Sequence, residues 1–146
     1  MKVYIRKTLS EYQILQCQHI FMQNHTINGG ALRGKCLVEK SDYQVLAYDK
    51  GKIVGFIAMS KFPKNHYIRQ IVVEKEYQQQ GVSKLLLTAL INHTRGEAEG
   101  IVSNCYKDNI VSIKMHESFG FKKSSESESQ YYYTYNIKEQ SIENEK

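Results

Sequence analysis

Three glutamines, a glycine and a serine stand where a strand gives way to a helix, in residues 72–90 (VVEKEYQQQGVSKLLLTAL). If Gln78, Gln79, Gln80, Gly81, Val82, Ser83 and Lys84 curl at the start of that helix, their backbone N–H groups and the positive end of the helix dipole converge on one spot. Such a spot binds phosphate. Gly81 permits close approach because it has no Cβ, Ser83 is small and adds a hydroxyl, and Lys84 or Lys75 could add charge from the rim. A plain strand-to-helix turn is the competing reading, and the string alone leaves both open. Neither G-x-x-x-x-G-K-[ST] nor G-x-G-x-x-G with a later acidic residue occurs, which disfavours the common nucleotide loops. A second group lies downstream: Asn109, Ser112 and His116, at spacings of three and four, share one face of a helix.

The elements that must position these residues follow from periodicity. Val82, Leu85, Leu86, Ala89, Leu90 and His93 recur at helical spacing and predict the apolar face of the helix behind the loop. Ahead of the loop, HYIRQIVV reads as a strand apolar enough near its end to be central in a sheet. KVYIRK reads as a first strand, and Ser10 with Gln13 forms a capping box that starts a helix with Ile14, Cys17 and Phe21 on its apolar face. Residues 28–40 (NGGALRGKCLVEK) are broken by glycine and read as a mobile segment near a substrate entrance. Residues 43–48 and 53–62 flank DKG as an antiparallel hairpin, closed by the only proline, Pro63. GIVSNC is a further strand, residues 111–119 a short helix stopped by Gly120, and FKKS with QYYYTYNI a last hairpin around SESES. The order β-α-(α)-β-β-β-α-β-α-β-β predicts an α/β (α+β) arrangement of helices on a mixed sheet. Residues 1–137 are expected to form a single domain, and residues 138–146 a tail too polar to pack.

Composition narrows the function classes. The chain has 146 residues, 41% of them hydrophobic, and a formal charge of +5. Its basic residues are scattered, so no stripe that could follow a nucleic-acid backbone is present, and a small polyanionic ligand suits the mild excess better. Cys17, Cys36 and Cys105 are odd in number, with no CxxC pair and no histidine at ligand spacing, against both a disulfide framework and a zinc site. Charges interrupt MKVYIRKTLS where a leader needs an apolar run, and no stretch approaches the ~18 apolar residues of a membrane span. A soluble, cytoplasmic protein with reduced thiols is the expectation.

Residues 71–87 (IVVEKEYQQQGVSKLLL) resemble the acetyl-CoA-binding segment of the GNAT superfamily of N-acetyltransferases, whose signature is [RQ]-x-x-G-x-[GA] after a strand ending in Val. Gln78 and Gly81 match, and Ser83 stands for the usual Gly or Ala. Residues 109–121 (NIVSIKMHESFGF) resemble the family's N-x-x-[AS]-x-x-[FLM]-[YH]-x-x-x-G-F element. The resemblance implies a GNAT-like fold, a mixed six- or seven-stranded sheet splayed between the fourth and fifth strands and flanked by helices. It implies that pantetheine lies in the splay along the strand of Ile71, Val72 and Val73, bonding backbone groups while the valine side chains stay in the core. The pyrophosphate would sit on the amides of residues 79–84, with Asn109 on the cofactor arm and Ser112 beside it.

The chemistry so implied is direct transfer of an acetyl group from acetyl-CoA to an amine. An amine of lysine-like pKa lies about 3 units above neutrality, so presenting it unprotonated costs about 4–5 kcal/mol, while a thiol leaving group near ~8.5 is within about 2 units. Deprotonation is the larger demand. His66 at the strand start is the best-titrating base, with Glu74 behind it; the alternative for His66 is a surface histidine. His116 stands where the family usually carries a tyrosine that protonates the departing thiolate; it is an acid in that role or a packing histidine. Cys105 reads as a buried strand cysteine, since direct transfer needs no acyl-enzyme. Tyr131, Tyr132, Tyr133 and Tyr135 read as packing residues, one of which could wall the acceptor pocket. The rival readings are a non-catalytic acyl-CoA-binding regulatory module and a nucleic-acid-binding domain, the latter disfavoured by the scattered charge. Polyamine, antibiotic, amino acid and protein amine all remain open as acceptor, and the tyrosine-rich last strand leaves room for a homodimer.

Overall fold

A computed structural model describes residues 1–27 and 34–137. The segment expected to be mobile lies outside the described residues at 28–33, as does the whole tail, 138–146. Among the described residues the elements are β1 (Lys2–Arg6), α1 (Glu11–Ile27), β2 (Tyr43–Asp49), β3 (Lys52–Lys61), β4 (Asn65–Val73), α2 (Val82–Thr94), β5 (Gly100–Tyr106), α3 (Ile110–Phe119), β6 (Lys122–Glu126) and β7 (Gln130–Asn136). Single 3-10 turns occur at Val38–Lys40 and Lys75–Tyr77. The sheet order is β1-β2-β3-β4-β5-β7-β6. The pairs β1–β2, β2–β3, β5–β7 and β6–β7 are antiparallel, whereas β4 and β5 run parallel. Their ladder joins Asn65, His66 and Tyr67 to Gly100, Ile101 and Val102 and goes no further.

The chain clusters into two compact units, Met1–Ser60 with Arg69–His93, and Lys61–Ile68 with the chain from Thr94 on. In the first unit α1 begins with the capping box. The Ser10 N–H donates to Gln13 Oε1 at 2.9 Å, and the Gln13 N–H donates to Ser10 Oγ at 3.2 Å. Cys17, Ile20 and Phe21 of α1 bury against Val38, Leu46, Ile53, Phe56, Ala58 and Val72. The β2–β3 turn is Lys50-Gly51, with φ of 53° and 79°, the two left-handed residues that a tight hairpin of right-twisted strands demands. On the opposite face of β3, Gly55 lets α2 approach. A methyl there would come within 3.1 Å of Val82 Cγ1 and 3.2 Å of Leu86 Cδ1, so the start of α2 is pressed onto bare backbone.

The buried face of α2 differs from the one its periodicity predicts. Val82, Leu86, Leu87, Leu90, Ile91 and Thr94 are buried, while Leu85 is 44% exposed. Leu85, Leu86 and Leu87 offer two overlapping stripes at helical spacing, and the one that fits beside Gly55 wins. Burying each leucine contributes about 1.5–3 kcal/mol, so packing decides between stripes that hydrophobicity alone ranks equally.

In the second unit β5, β7 and β6 pair antiparallel with β7 in the middle. Gly100 is required because a methyl there would lie 2.8 Å from the Tyr135 carbonyl oxygen. Gly120, at φ 115°, ends α3 in the left-handed conformation, and the Phe121 N–H donates to His116 O at 2.9 Å. Phe119, Phe121 and Tyr135 then cluster with ring centroids 5.4–6.1 Å apart. Because β7 is paired to β5 on one side and β6 on the other, its backbone has no edge to offer a second chain. The homodimer route expected through the tyrosine-rich strand is therefore closed.

Candidate active site

The strand-to-helix loop is a cradle of backbone donors. After Val73 the chain makes the 3-10 turn, Gln78 is extended at φ −68° and ψ 149°, and Gln79 and Gly81 take positive φ of 63° and 83°. Leu85 is the first amide at the head of α2 to find an acceptor, Gly81 O at 3.1 Å. Among the described residues the N–H groups of residues 79–84 bond no protein acceptor. The polar side chains of the loop turn away to brace it: Gln78 Nε2 donates to Val73 O at 3.2 Å, and Gln80 Nε2 donates to Glu76 O at 2.7 Å. A methyl on Gly81 would meet nothing within 4 Å, so open space lies beside it. Val82 is buried and fixes the helix start, Ser83 is half-buried, and Gln79, Gln80 and Lys84 are exposed. Unsatisfied helix-head amides in a left-handed turn, aligned with a helix dipole, are the donor set that an anionic diphosphate fits.

On β4, Val72 and Val73 are buried and Ile71 is half-buried. The carbonyl of Val73 already receives the Gln78 amide, and Val72 O lies 3.3 Å from the position of a Gly55 methyl. His66 lies at the start of β4, paired with Ile101, and is buried rather than on the surface.

The other candidates belong to the second unit. Asn109 caps α3: its Oδ1 accepts from the Ser112 N–H at 3.1 Å. Ser112 is half-buried, and one turn on, His116 is buried with both ring nitrogens engaged. His116 Nδ1 lies 2.7 Å from Ser112 O, which can only accept, so Nδ1 carries the proton. Nε2 then accepts from the Ser103 hydroxyl at 2.7 Å. Burial lowers the His116 pKa below 6.5, against smaller opposing effects of the Ser112 carbonyl and Glu117. The ring stacks on Tyr133 at 4.7 Å and meets Phe121 edge-on at 5.2 Å. Tyr133 donates in turn to Glu117 Oε2 at 2.9 Å. His116 is thus a neutral imidazole of fixed tautomer. Cys105, two residues after Ser103 on the same side of β5, is buried, and burial raises its pKa. No group of three or more His, Cys, Asp and Glu among the described residues could hold a metal ion.

Sequence reasoning did not find Ser103, Tyr133 and Glu117 around His116, nor Asp49, which receives the Tyr77 hydroxyl at 2.7 Å. The alternation Ile101, Ser103, Cys105 was a usable signal for Ser103, since it marks the buried side of β5. The pairing of Tyr77 with Asp49 spans 28 residues and left no local trace.

A mixed sheet with a short parallel ladder, an amide cradle at the head of α2 and an asparagine-capped α3 define an acyl-CoA-type acetyltransferase fold. The chain belongs to the acetyltransferase (GNAT) family, whose model matches residues 9–121. A spermine/spermidine N(1)-acetyltransferase of Bacillus subtilis is 29% identical over 89 residues, covering 54% of this chain and 59% of the relative. The chain thus spans about three fifths of the length of the curated relatives it matches. Among solved structures, the PaiA N-acetyltransferase of Thermoplasma acidophilum in complex with coenzyme A superposes with a TM-score of 0.73 at 16% identity, covering 93% of this chain and 99% of that one. The ribosomal-protein-S18-alanine N-acetyltransferase of Escherichia coli gives a TM-score of 0.68 at 17% identity, covering 93% and 94%. These two likenesses show the fold.

Proposed function

We propose that the chain is an acyl-CoA-dependent N-acyltransferase that moves an acetyl group from acetyl-CoA to an amine by direct attack, with residues 1–137 acting as one domain. The observation that carries this reading is the row of unengaged N–H groups at residues 79–84 beside the open space at Gly81. Gln79, Gln80, Gly81, Val82, Ser83 and Lys84 would hold the diphosphate, Gln78 would brace them, and the backbone of Ile71, Val72 and Val73 would hold the pantetheine arm. Acetyl-CoA supplies the activated thioester. Asn109 and Ser112 are proposed for the cofactor arm through atoms that the α3 cap leaves over, since Asn109 Oδ1 and the Ser112 N–H serve each other.

Proton transfer is assigned to two histidines. His66 is proposed as the base or the end of a path from the amine, a step that must supply about 4–5 kcal/mol for a lysine-like amine at neutral pH. For His116 the fixed tautomer favours accepting a proton at Nε2 through the Ser103 hydroxyl over donating one, because its single N–H is held by Ser112 O. The polyamine name of the Bacillus subtilis relative makes spermine and spermidine the acceptors to try first. Three cysteines without a disulfide suit a reducing cytoplasm. No helix among the described residues is long and apolar enough to cross a membrane. A homodimer would have to use a surface other than β7.

The test is differential scanning with acetyl-CoA, then thiol release measured across polyamines, amino acids, aminoglycosides and peptide amines. A raised Tm with amine-dependent thiol release is expected. A raised Tm with no release for any amine would instead support the acyl-CoA-binding regulatory module, and no change in Tm would refute the cradle itself.

A further inference from the structure

The cradle is entered through a turn that is gripped from outside. Its grip is the tip of the β2–β3 hairpin, where Asp49 is the last residue of β2 and Lys52 the first of β3. Tyr77, the last residue of the 3-10 turn, donates its hydroxyl to Asp49 Oδ2 at 2.7 Å. Lys52 Nζ sits 3.8 Å from Glu74 Oε2 and 5.7 Å from the Tyr77 ring centroid. The Glu74 N–H donates to Val54 O at 2.8 Å. The connection Glu74-Lys75-Glu76-Tyr77 is therefore clasped to the hairpin at both ends, immediately before the chain turns left-handed at Gln79.

That turn needs holding. Gln79 adopts φ 63° although it is not glycine, a conformation that persists only where surrounding contacts fix it. Downstream of Tyr77, Gln80 braces the loop from its own side chain to Glu76 O, and Gln78 reaches back to Val73 O. The first stays within the loop, and the second ties it to the end of β4. The Tyr77–Asp49 bond is the side-chain hydrogen bond that ties the turn before Gln79 to the β2–β3 hairpin.

We propose that Tyr77 and Asp49 are positioning residues for the anion cradle: their hydrogen bond sets the direction in which the chain enters Gln79, and so aims the amides of residues 79–84 at a diphosphate. The inference rests on the coenzyme A reading above. The bond to Asp49 also holds the Tyr77 phenol above its usual pKa of 10.0, so the hydroxyl stays a donor across the physiological range.

The test is calorimetric binding of coenzyme A, with steady-state kinetics alongside. Tyr77→Phe keeps the ring against Lys52 and removes only the hydroxyl. It is expected to weaken coenzyme A about fivefold or more, the equivalent of one ordinary hydrogen bond. KM for acetyl-CoA rises with it, while kcat and KM for the amine stay within about twofold. Asp49→Ala reproduces the effect, Asp49→Asn, which keeps an acceptor oxygen, restores affinity, and the Tyr77→Phe/Asp49→Ala double variant is no weaker than either single one. If wild-type protein binds coenzyme A and Tyr77→Phe binds it equally well, the inference is wrong and the function stands. If affinity falls only in step with Tm, or Asp49→Asn fails to restore it, the bond is structural support and the inference is again wrong. If wild-type protein does not bind coenzyme A, the functional reading falls and this one with it.

Discussion

Replacing Gly81 by alanine separates the fold from the cradle. Gly81 has φ of 83°, and an added methyl meets no atom within 4 Å. The only cost to the free protein is therefore that of a left-handed L-residue, about 1–2 kcal/mol. At about 2–4 °C per kcal/mol for a chain near this size, Tm without ligand falls by about 2–8 °C. Gly96 provides a matched control: its φ is 89°, it too has open space, and it lies beyond the far end of the 13-residue α2, about 20 Å along the helix. Alanine at Gly96 should lower Tm by the same amount. The two differ only with ligand present. Coenzyme A at a hundredfold excess over its Kd stabilises wild-type protein by about 2.7 kcal/mol, or roughly 5–11 °C. That increment should survive in Gly96→Ala, shrink to less than half in Gly81→Ala, and vanish in Gly81→Leu, whose side chain fills the space the diphosphate needs. Differential scanning fluorimetry with and without coenzyme A measures all four proteins. A full increment in Gly81→Leu, or an equal loss in Gly96→Ala, would show that the ligand does not sit on these amides.

Three further outcomes are expected. Asn109→Ala removes the α3 cap and should cost about 1 kcal/mol in urea unfolding, whereas Asn109→Asp, which keeps the acceptor oxygen, should cost much less. Burial holds the His116 pKa below 6.5, so the unfolded chain binds a proton that the native one refuses. The contribution is then present above pH 6.5 and is lost as pH falls through and below it, so the urea midpoint should decline on acidification below about pH 6.5, with a smaller decline in His116→Gln. Burial pushes the Cys17 thiol up to about 12 and also raises Cys105, while Cys36 is only half-buried. An aromatic disulfide reagent should therefore titrate Cys36 first in native protein and all three thiols after denaturation; fast labelling of Cys17 in native protein would contradict its burial.

The element order was legible because its punctuation is local. Ser10 and Gln13 satisfy each other within one turn, Lys50-Gly51 can do little but turn, and Gly120 stops α3 where an L-residue would be strained. The cradle was legible for the same reason, since Gly81 and the start of α2 lie within a few residues. What escaped was tertiary. The face of α2 is chosen by Gly55 on a neighbouring strand, 27 residues before Val82. The fate of Asn109 turns on whether its oxygen caps the helix or reaches outward, and both need the same residue type in the same place. His116 could not be read as a neutral base of fixed tautomer, because Ser103 and Tyr133 reach it only through the pairing of β5 with β7.

β6 ends the sheet with Lys122, Lys123, Ser124, Ser125 and Glu126, all exposed, and its register slips between Lys123 and Ser125. An incoming strand from another molecule would have to bury lysine ammonium groups beside a ladder already out of step. That margin is guarded against fibril-like stacking, and substitutions that replace Lys122 or Lys123 with valine or isoleucine would remove the guard without touching the core.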